Sequence, residues 1–181
     1  MKNIRRLLSL ITCFYLSQVG DVYASDREIA LKAGLIFNFA VYSKGEWFDT
    51  VKHKNYLICS PDPSFVRVAR QTLQNKKIRN SPVLVQYISL DTFRNHHCNA
   101  VFFSANRNTA LKFDPLNSNF LAAMLIGESD GFIERGGHIN FFLAGGRVRF
   151  EIDPVGLRNS NIEVSSKVIR LGKVVSRGAN D

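Results

Sequence analysis

Apolar and polar positions alternate most regularly on the two sides of Gly145-Gly146, over residues 139–143 and 148–152. Alternation with a period of two is typical of β-strands, and two glycines between such segments favour a two-residue hairpin turn. The resulting inner face pairs Leu143 with Val148, Phe141 with Phe150 and Ile139 with Ile152. On the outer face Phe142 lies opposite Arg149 and Asn140 opposite Glu151. The pattern therefore predicts a β-hairpin of defined register.

Upstream of the hairpin, strand-like and helix-like segments alternate. Short apolar runs predict strands over residues 56–59, 83–88, 99–104 and 121–126. Asp62 and Pro63 have the residue types of a helix N-cap and first turn, so a helix is expected after the first strand. We interpret the chain as α/β: a single-domain layered α/β sandwich with a largely parallel sheet and a C-terminal β-hairpin.

Two further helices are expected, one at each end of this domain. The C-terminal helix is predicted from the spacing of Val164, Val168, Leu171 and Val175. The first helix, over residues 25–42, has Ser25 or Asp26 as N-cap and is apolar on nearly all sides. Its inner stripe is Ile29, Ala33, Ile36 and Ala40, and a second side carries Leu31, Leu35 and Tyr42. Either the helix is enclosed within the domain, or its second side contacts a partner.

The first 24 residues have the layout of a secretory signal peptide. Lys2, Arg5 and Arg6 precede an apolar run over residues 7–16, and the run ends before a cleavage site after Ala24. This run has about half of the roughly 20 residues that a membrane-spanning helix needs. The sequence thus predicts a cleaved leader over residues 1–24 and an exported domain over residues 25–181.

Composition and charge narrow the class of partner. Of the 181 residues, 45% are hydrophobic and 22% are charged, which excludes a disordered chain and a coiled coil. The formal net charge is +9. Because the domain is expected outside the cytoplasm, its basic surface is expected to meet phosphates and carboxylates of the cell envelope rather than nucleic acid.

No motif in the sequence identifies an enzyme, a metal site or a cofactor. His96-His97-Cys98 looks like a metal cluster, but neighbouring side chains on an extended chain point in opposite directions. Residues 127–131 lack the Lys and Ser/Thr of a phosphate-binding loop, and no GxSxG is present. We therefore expect no catalytic residue, metal or cofactor. An envelope enzyme whose residues converge only in space stays open as an alternative.

Several segments taken together resemble the YfiR-like family of exported bacterial proteins. Residues 32–40, KAGLIFNFA, are similar to its opening helix, and residues 57–59 and 98–104 to its two cysteine-bearing strands. Residues 136–141, 147–152 and 164–167 are similar to its closing signature. The signature positions are Gly136, Gly137, Asn140, Phe141, Phe150, Glu151, Ser165 and Ser166.

The resemblance implies a periplasmic regulator that is not an enzyme. Its best-known members bind the periplasmic sensor domain of a membrane-anchored diguanylate cyclase, and release of the cyclase raises cyclic di-GMP and favours biofilm. The expected partner is thus such a cyclase or a sensor kinase, with an outer-membrane or envelope lipoprotein and a second copy of the chain as further partners. Two surfaces are candidates for binding: Leu31, Leu35 and Tyr42 on the first helix, and Phe142 and Arg149 on the hairpin. A sensor that binds a small molecule at the carboxyl ends of the parallel strands is the alternative.

Cys59 and Cys98 are the cysteines of the predicted exported domain. They are a structural disulfide, a redox switch or two buried thiols. If their strands are parallel neighbours, their Cα atoms would be roughly 10–15 Å apart, whereas bridging requires less than about 7 Å. Export and the family resemblance favour the bond despite this difficulty. Some members have a second cysteine pair in the C-terminal half, and this chain has no Cys after Cys98.

Overall fold

The computed structural model describes residues 18–51, 53–89, 97–105 and 123–176. The described helices are α1 (Gln18–Val41), α2 (Pro63–Thr72), α3 (Pro154–Asn159) and α4 (Ser166–Ile169). The described strands are β1 (Ser43–Lys44), β2 (Tyr56–Ser60), β3 (Lys77–Ile78), β4 (Ser81–Tyr87), β5 (Ala100–Phe103), β6 (Met124–Gly127), β7 (Ile139–Ala144), β8 (Arg147–Ile152), β9 (Glu163–Val164) and β10 (Lys173–Val174).

One sheet holds eight of these strands in the order β10-β8-β7-β6-β5-β2-β4-β3. Its strands are parallel at every contact except β7 with β8 and β3 with β4. Strands β1 and β9 form a separate antiparallel pair. The predicted α/β class, with its largely parallel sheet and C-terminal hairpin, is confirmed. The strand predicted over residues 121–126 begins at Met124 within the described part; residues 121 and 122 lie outside it.

The hairpin has the predicted register, with Phe141 opposite Phe150 and Leu143 opposite Val148. Gly145 (φ 58°) and Gly146 (φ 69°) both adopt the left-handed conformation that a type I′ turn requires. The prediction that all six inner residues face the core is wrong at the tip, where Leu143 is 61% exposed. The reason is that β6 ends at Gly127, opposite Asn140. Beyond that point the hairpin projects past its neighbouring strand.

Side chains alternate between two cores on the two faces of the sheet. On the helix-covered face, each described helix contributes buried residues, among them Ile36, Phe65, Leu157 and Val168. On the opposite face, which we call the disulfide face, a smaller core contains Cys59, Cys98, Ile88, Val101, Phe103, Ala123, Leu125 and Phe132. Both faces of the central strands are therefore buried, as expected for parallel strands with continuous apolar sequences.

Helix α1 packs its predicted inner stripe into the larger core, where Ala33, Ile36 and Ala40 are fully buried. The prediction that Ser25 or Asp26 caps it is wrong in this structure, because α1 runs without a break from Gln18 through both residues. For α2 the predicted cap is confirmed. The Asp62 carboxylate accepts hydrogen bonds from the backbone N–H of Ser64 (2.8 Å) and Phe65 (3.3 Å).

The predicted C-terminal amphipathic helix is largely wrong. Only α4, four residues long, is helical there, and its Val168 is buried. Val164 lies instead in β9, which pairs with β1, and Leu171 is exposed. Residues 173 and 174 pair with β8 at the edge of the main sheet. Pairing with strands distant in sequence has outweighed the helical spacing of four apolar residues.

Candidate functional site

The two cysteines form a disulfide in this structure, with sulfur atoms 2.00 Å apart and Cα atoms 6.0 Å apart. Strands β2 and β5 are parallel, and Cys59 lies opposite Val101. A straight extension of β5 back to Cys98, three residues earlier, would separate the two cysteines by about 10 Å along the strand direction. The chain instead bends before β5, so Cys98 lies over the disulfide face. That bend resolves the distance problem without lengthening a strand or reversing one.

The second side of α1 is divided between the core and the surface. Leu31 is 52% exposed and Tyr42 is 51% exposed, and the neighbouring Val41 is also exposed. Leu35 is half-buried and packs against the larger core. Of the three candidate partner-binding residues on this helix, the structure therefore leaves Leu31 and Tyr42 on the surface. Large apolar side chains exposed at these positions are available for contact with another protein.

The second candidate surface is at the hairpin. Phe142 and Arg149 lie opposite each other, as predicted, with Phe142 half-buried and Arg149 exposed. The exposed Leu143, which sequence reasoning assigned to the core, lies next to Phe142. Phe142 and Leu143 both line a cleft of about 430 Å³ between the hairpin and α1.

This cleft lies at the carboxyl ends of β5 and β6, where the small-molecule alternative placed a ligand. Ala105 follows β5 and Glu128 follows β6. The lining residues are Glu28, Lys32, Ala105, Glu128, Asp130, Phe141, Phe142 and Leu143. Three carboxylates and one ammonium group thus meet beside an apolar strand, on a chain whose overall charge is strongly positive.

Lys32 is the central charge of the cleft. Its ammonium donates a hydrogen bond to the Glu128 carboxylate and pairs with Glu28 at 2.6 Å, and its side chain is only 11% exposed. Burial alone lowers the pKa of Lys32, but the hydrogen bonds and charges of Glu128 and Glu28 outweigh burial and raise it above its ordinary value. Glu128 also accepts the backbone N–H of Ala105 at 2.9 Å. The cluster thereby fixes α1 against the ends of β5 and β6.

The described residues include only part of the His96-His97-Cys98 cluster, because His96 lies outside them. The ring of His97 stacks on His53, with ring centroids 3.8 Å apart. Partial burial, and secondly the charge of His53, lower the pKa of His97. Within residues 18–51, 53–89, 97–105 and 123–176, no three His, Cys, Asp or Glu side chains are grouped so that they could hold a metal ion.

Two signature glycines have a steric role. The ring of Phe132 lies so close to Gly137 that a Cβ there would fall 2.1 Å from it, and a Cβ on Gly127 would fall 2.5 Å from it. Gly136 has a φ of 102°, in the region that side chains disfavour. The pair at 136–137 therefore admits Phe132 and turns the chain into β7.

The other signature residues hold the C-terminal half together. Phe141 and Phe150 both pack on Phe39 of α1, at ring-centroid distances of 6.0 and 4.9 Å. On the other side of the hairpin Asn140 is buried, and its strand neighbour Glu151 pairs with Lys173 of β10 at 2.9 Å. Ser165 caps α4 through its side chain and donates its backbone N–H to Tyr42. Ser166, in the first turn of α4, is exposed.

Sequence reasoning missed three buried polar residues that organise the sheet ends. Asn99 bonds Leu57 through both its side chain and its backbone. His138 accepts the N–H of Leu125 at Nδ1 and contacts the Ser160 hydroxyl at Nε2, which places the ring proton on Nε2. Asp153 caps α3 by accepting the N–H of Gly156. A polar residue just outside a strand was the available signal in each case, but such residues are usually solvated.

None of the helices in the described part of the chain is both long and apolar enough to cross a membrane. Compared with known families, residues 29–173 match the model described as YfiR/HmsC-like, from the first helix to the start of the last strand. No curated protein matches the chain.

Proposed function

Because the chain belongs to the YfiR/HmsC-like family, we propose that it is a periplasmic regulator of a diguanylate cyclase. It binds the periplasmic sensor domain of an inner-membrane cyclase and holds the enzyme inactive. Its release raises cyclic di-GMP inside the cell and favours biofilm. The observation that carries this proposal is the family match, which extends from α1 to β10.

The surface of the domain is consistent with a binding role. Leu31 on α1, Tyr42 immediately after α1 and Leu143 on the hairpin are large apolar side chains that are at least half exposed. Tyrosine is among the residue types that contribute most to association when buried at an interface, and the two leucines add apolar contact area. The predicted leader over residues 1–24 supports an encounter in the periplasm, where a cyclase sensor domain is accessible.

Deleting the gene tests the regulatory role directly. Cellular cyclic di-GMP, measured by mass spectrometry, should rise on deletion and return to its original level when the intact gene is restored. Cross-linking in intact cells should recover one inner-membrane protein with a cyclase domain. Unchanged cyclic di-GMP in the deletion strain would contradict the proposal.

Single substitutions then test the candidate surface on α1. Leu31→Glu should leave a folded protein, since a carboxylate at an exposed position stays solvated, but should weaken partner binding and raise cyclic di-GMP. Gln71→Glu, an exposed position on α2, adds the same charge elsewhere and should have no effect. Leu35→Glu is a poorer probe, because Leu35 packs partly against the core. Full repression by a folded Leu31→Glu protein would place the interface elsewhere.

A further inference from the structure

We propose that the cleft between α1 and the hairpin binds an extended, basic segment of the partner, which adds as a strand to the free edge of β7. This inference rests on the proposed function for the identity of the partner, a cyclase sensor domain. Three features of the described residues support it: an unpaired strand edge, an excess of carboxylates and adjacent exposed apolar side chains.

Within the described residues, the edge of β7 beyond Asn140 is free because the two neighbours of β7 differ in length. Strand β8 pairs with β7 along its whole length, whereas the pairing of β6 ends at Asn140. Among the described strands none continues beside residues 141–144 on that side. A two-residue turn is closed by a hydrogen-bonded pair, here Ala144 with Arg147, and pair types alternate along the ladder. Leu143 therefore directs its backbone N–H and C=O away from β8, toward the cleft that it lines.

The charge of the cleft selects a basic occupant. Lys32 already shares its charge with Glu28 and Glu128, and Asp130 on the turn after β6 is exposed. Arg135 donates to the backbone carbonyl of Asp130 and to Ser129. A Lys or Arg side chain from an added strand would reach these carboxylates and complement their excess.

The side chains beside the edge suit a strand with alternating residue types. Leu143 is exposed and Phe142 is half-buried, and the two point to opposite sides of β7. An added strand would place apolar residues against one of them at every second position. A second copy of the same chain fits less well, because two-fold pairing of β7 edges would bring the two groups of carboxylates together.

Two hexapeptides of defined sequence test the proposal in vitro. An acetylated, amidated Lys-Val-Lys-Val-Lys-Val peptide should shift the backbone amide NMR signals of Leu143, Glu128 and Asp130 in the exported domain. The Glu-Val counterpart should bind at least about tenfold more weakly. Equal binding of the two peptides, or shifts confined to residues outside the cleft, would overturn the proposal. Free lysine that reproduces the full set of shifts would also overturn it, in favour of a small-molecule pocket.

Matched variants separate the charge from the strand edge. Asp130→Lys should weaken the Lys-Val peptide about tenfold or more, whereas Glu134→Lys, on the same turn but outside the cleft lining, should not. Leu143→Pro removes the edge N–H, whereas Leu143→Thr retains it and loses only apolar contact; the proline variant should lose binding and the threonine variant should only weaken it. If Leu143→Pro fails to fold, as judged by circular dichroism, the comparison of Asp130→Lys with Glu134→Lys still tests the proposal. A Leu143→Pro protein that folds and binds like Leu143→Thr would exclude strand addition.

Measurements in cells distinguish this inference from the broader proposal. Asp130→Lys should raise cyclic di-GMP as gene deletion does, and Glu134→Lys should not. If deletion raises cyclic di-GMP but a normally abundant Asp130→Lys protein represses fully, the cleft is not the docking site and the regulatory role stands. If deletion has no effect, the regulatory role fails, whatever the peptides show.

Discussion

On the helix-covered face of the sheet, four helices contribute buried residues, and rings such as Phe65, Phe102 and Phe141 fill the space between them. On the disulfide face, no described helix contributes to the core. A turn carrying Phe132 and the Cys59–Cys98 bond cover the strands there. The first face is stabilised by a large apolar area removed from water, the second by a smaller area and a covalent link. A small domain can thus bury both faces of its sheet although, among the described residues, helices cover only one of them.

Strand β5 presents this contrast in two adjacent residues. Phe102 faces the helices and packs on Phe65, with ring centroids 4.3 Å apart. Phe103 faces the other way and packs on Phe132 at 6.0 Å. Both side chains are almost completely buried, so exposure alone does not tell them apart. We expect the two positions to differ in how far the surrounding structure relaxes when the ring is removed.

The largest expected effect is at this pair. Phe102→Ala should lower the free energy of unfolding by about 3–5 kcal/mol, since the helices around the cavity can collapse only partly. Phe103→Ala should cost about 2–3 kcal/mol, because the turn opposite can relax toward the strand. Urea denaturation of the two variants measures the difference. Equal costs would mean that the two faces are packed with similar rigidity.

Removal of the disulfide should have the next largest effect. The two cysteines are separated by 39 positions, and closing a loop of that length contributes roughly 3–4 kcal/mol in the chain-entropy model. A Cys59→Ala, Cys98→Ala double variant should lose about that much stability by urea denaturation. Reducing agent should destabilise the original protein and leave the double variant unchanged. A loss well below 1 kcal/mol would show that packing alone holds the disulfide face.

Lys32→Met tests the charged end of the helix-covered face. It leaves Glu128 and Glu28 without their cation and should cost about 1–3 kcal/mol at neutral pH. The pKa of Lys32 is raised on folding, so its contribution is present below the ordinary value of 10.5 and is lost as pH rises through the higher folded value. The melting temperatures of the original protein and the variant should therefore converge as the pH becomes alkaline. A constant difference in melting temperature at all pH values would contradict a stabilising role for the charge of Lys32.

The smallest effect concerns the histidine pair beside Cys98. The pKa of His97 is lowered on folding, first by burial and then by the charge of His53. The unfolded chain therefore binds the proton more tightly, and stability falls as pH drops below the ordinary value of 6.5. His53→Gln removes one of the two causes and should slightly reduce the loss of melting temperature on acidification. His53→Lys, which keeps a charge there, should not reduce it.

Features fixed by neighbours in sequence could be predicted, and features fixed by distant pairing could not. The hairpin register follows from its alternation and the two glycines at its turn, and the cap of α2 follows from Asp62. The prediction of a C-terminal helix failed because β9 pairs with β1 and β10 pairs with β8. In the sequence, Lys32 was noted only as the first residue of the segment 32–40 that resembles the family's opening helix. Nothing local indicates that it meets Glu128, 96 positions away.

The Phe132 ring resting on Gly127 and Gly137 has an evolutionary consequence. These three positions form one steric unit, because any side chain added at either glycine occupies the volume of the ring. Gly137→Ala alone should therefore be poorly tolerated, and a smaller residue at position 132 should partly rescue it. Among relatives, an alanine or serine at either glycine position should accompany the loss of the phenyl ring. Substitutions at positions 127, 132 and 137 should therefore be correlated among relatives, while the exposed turn residues between them vary independently.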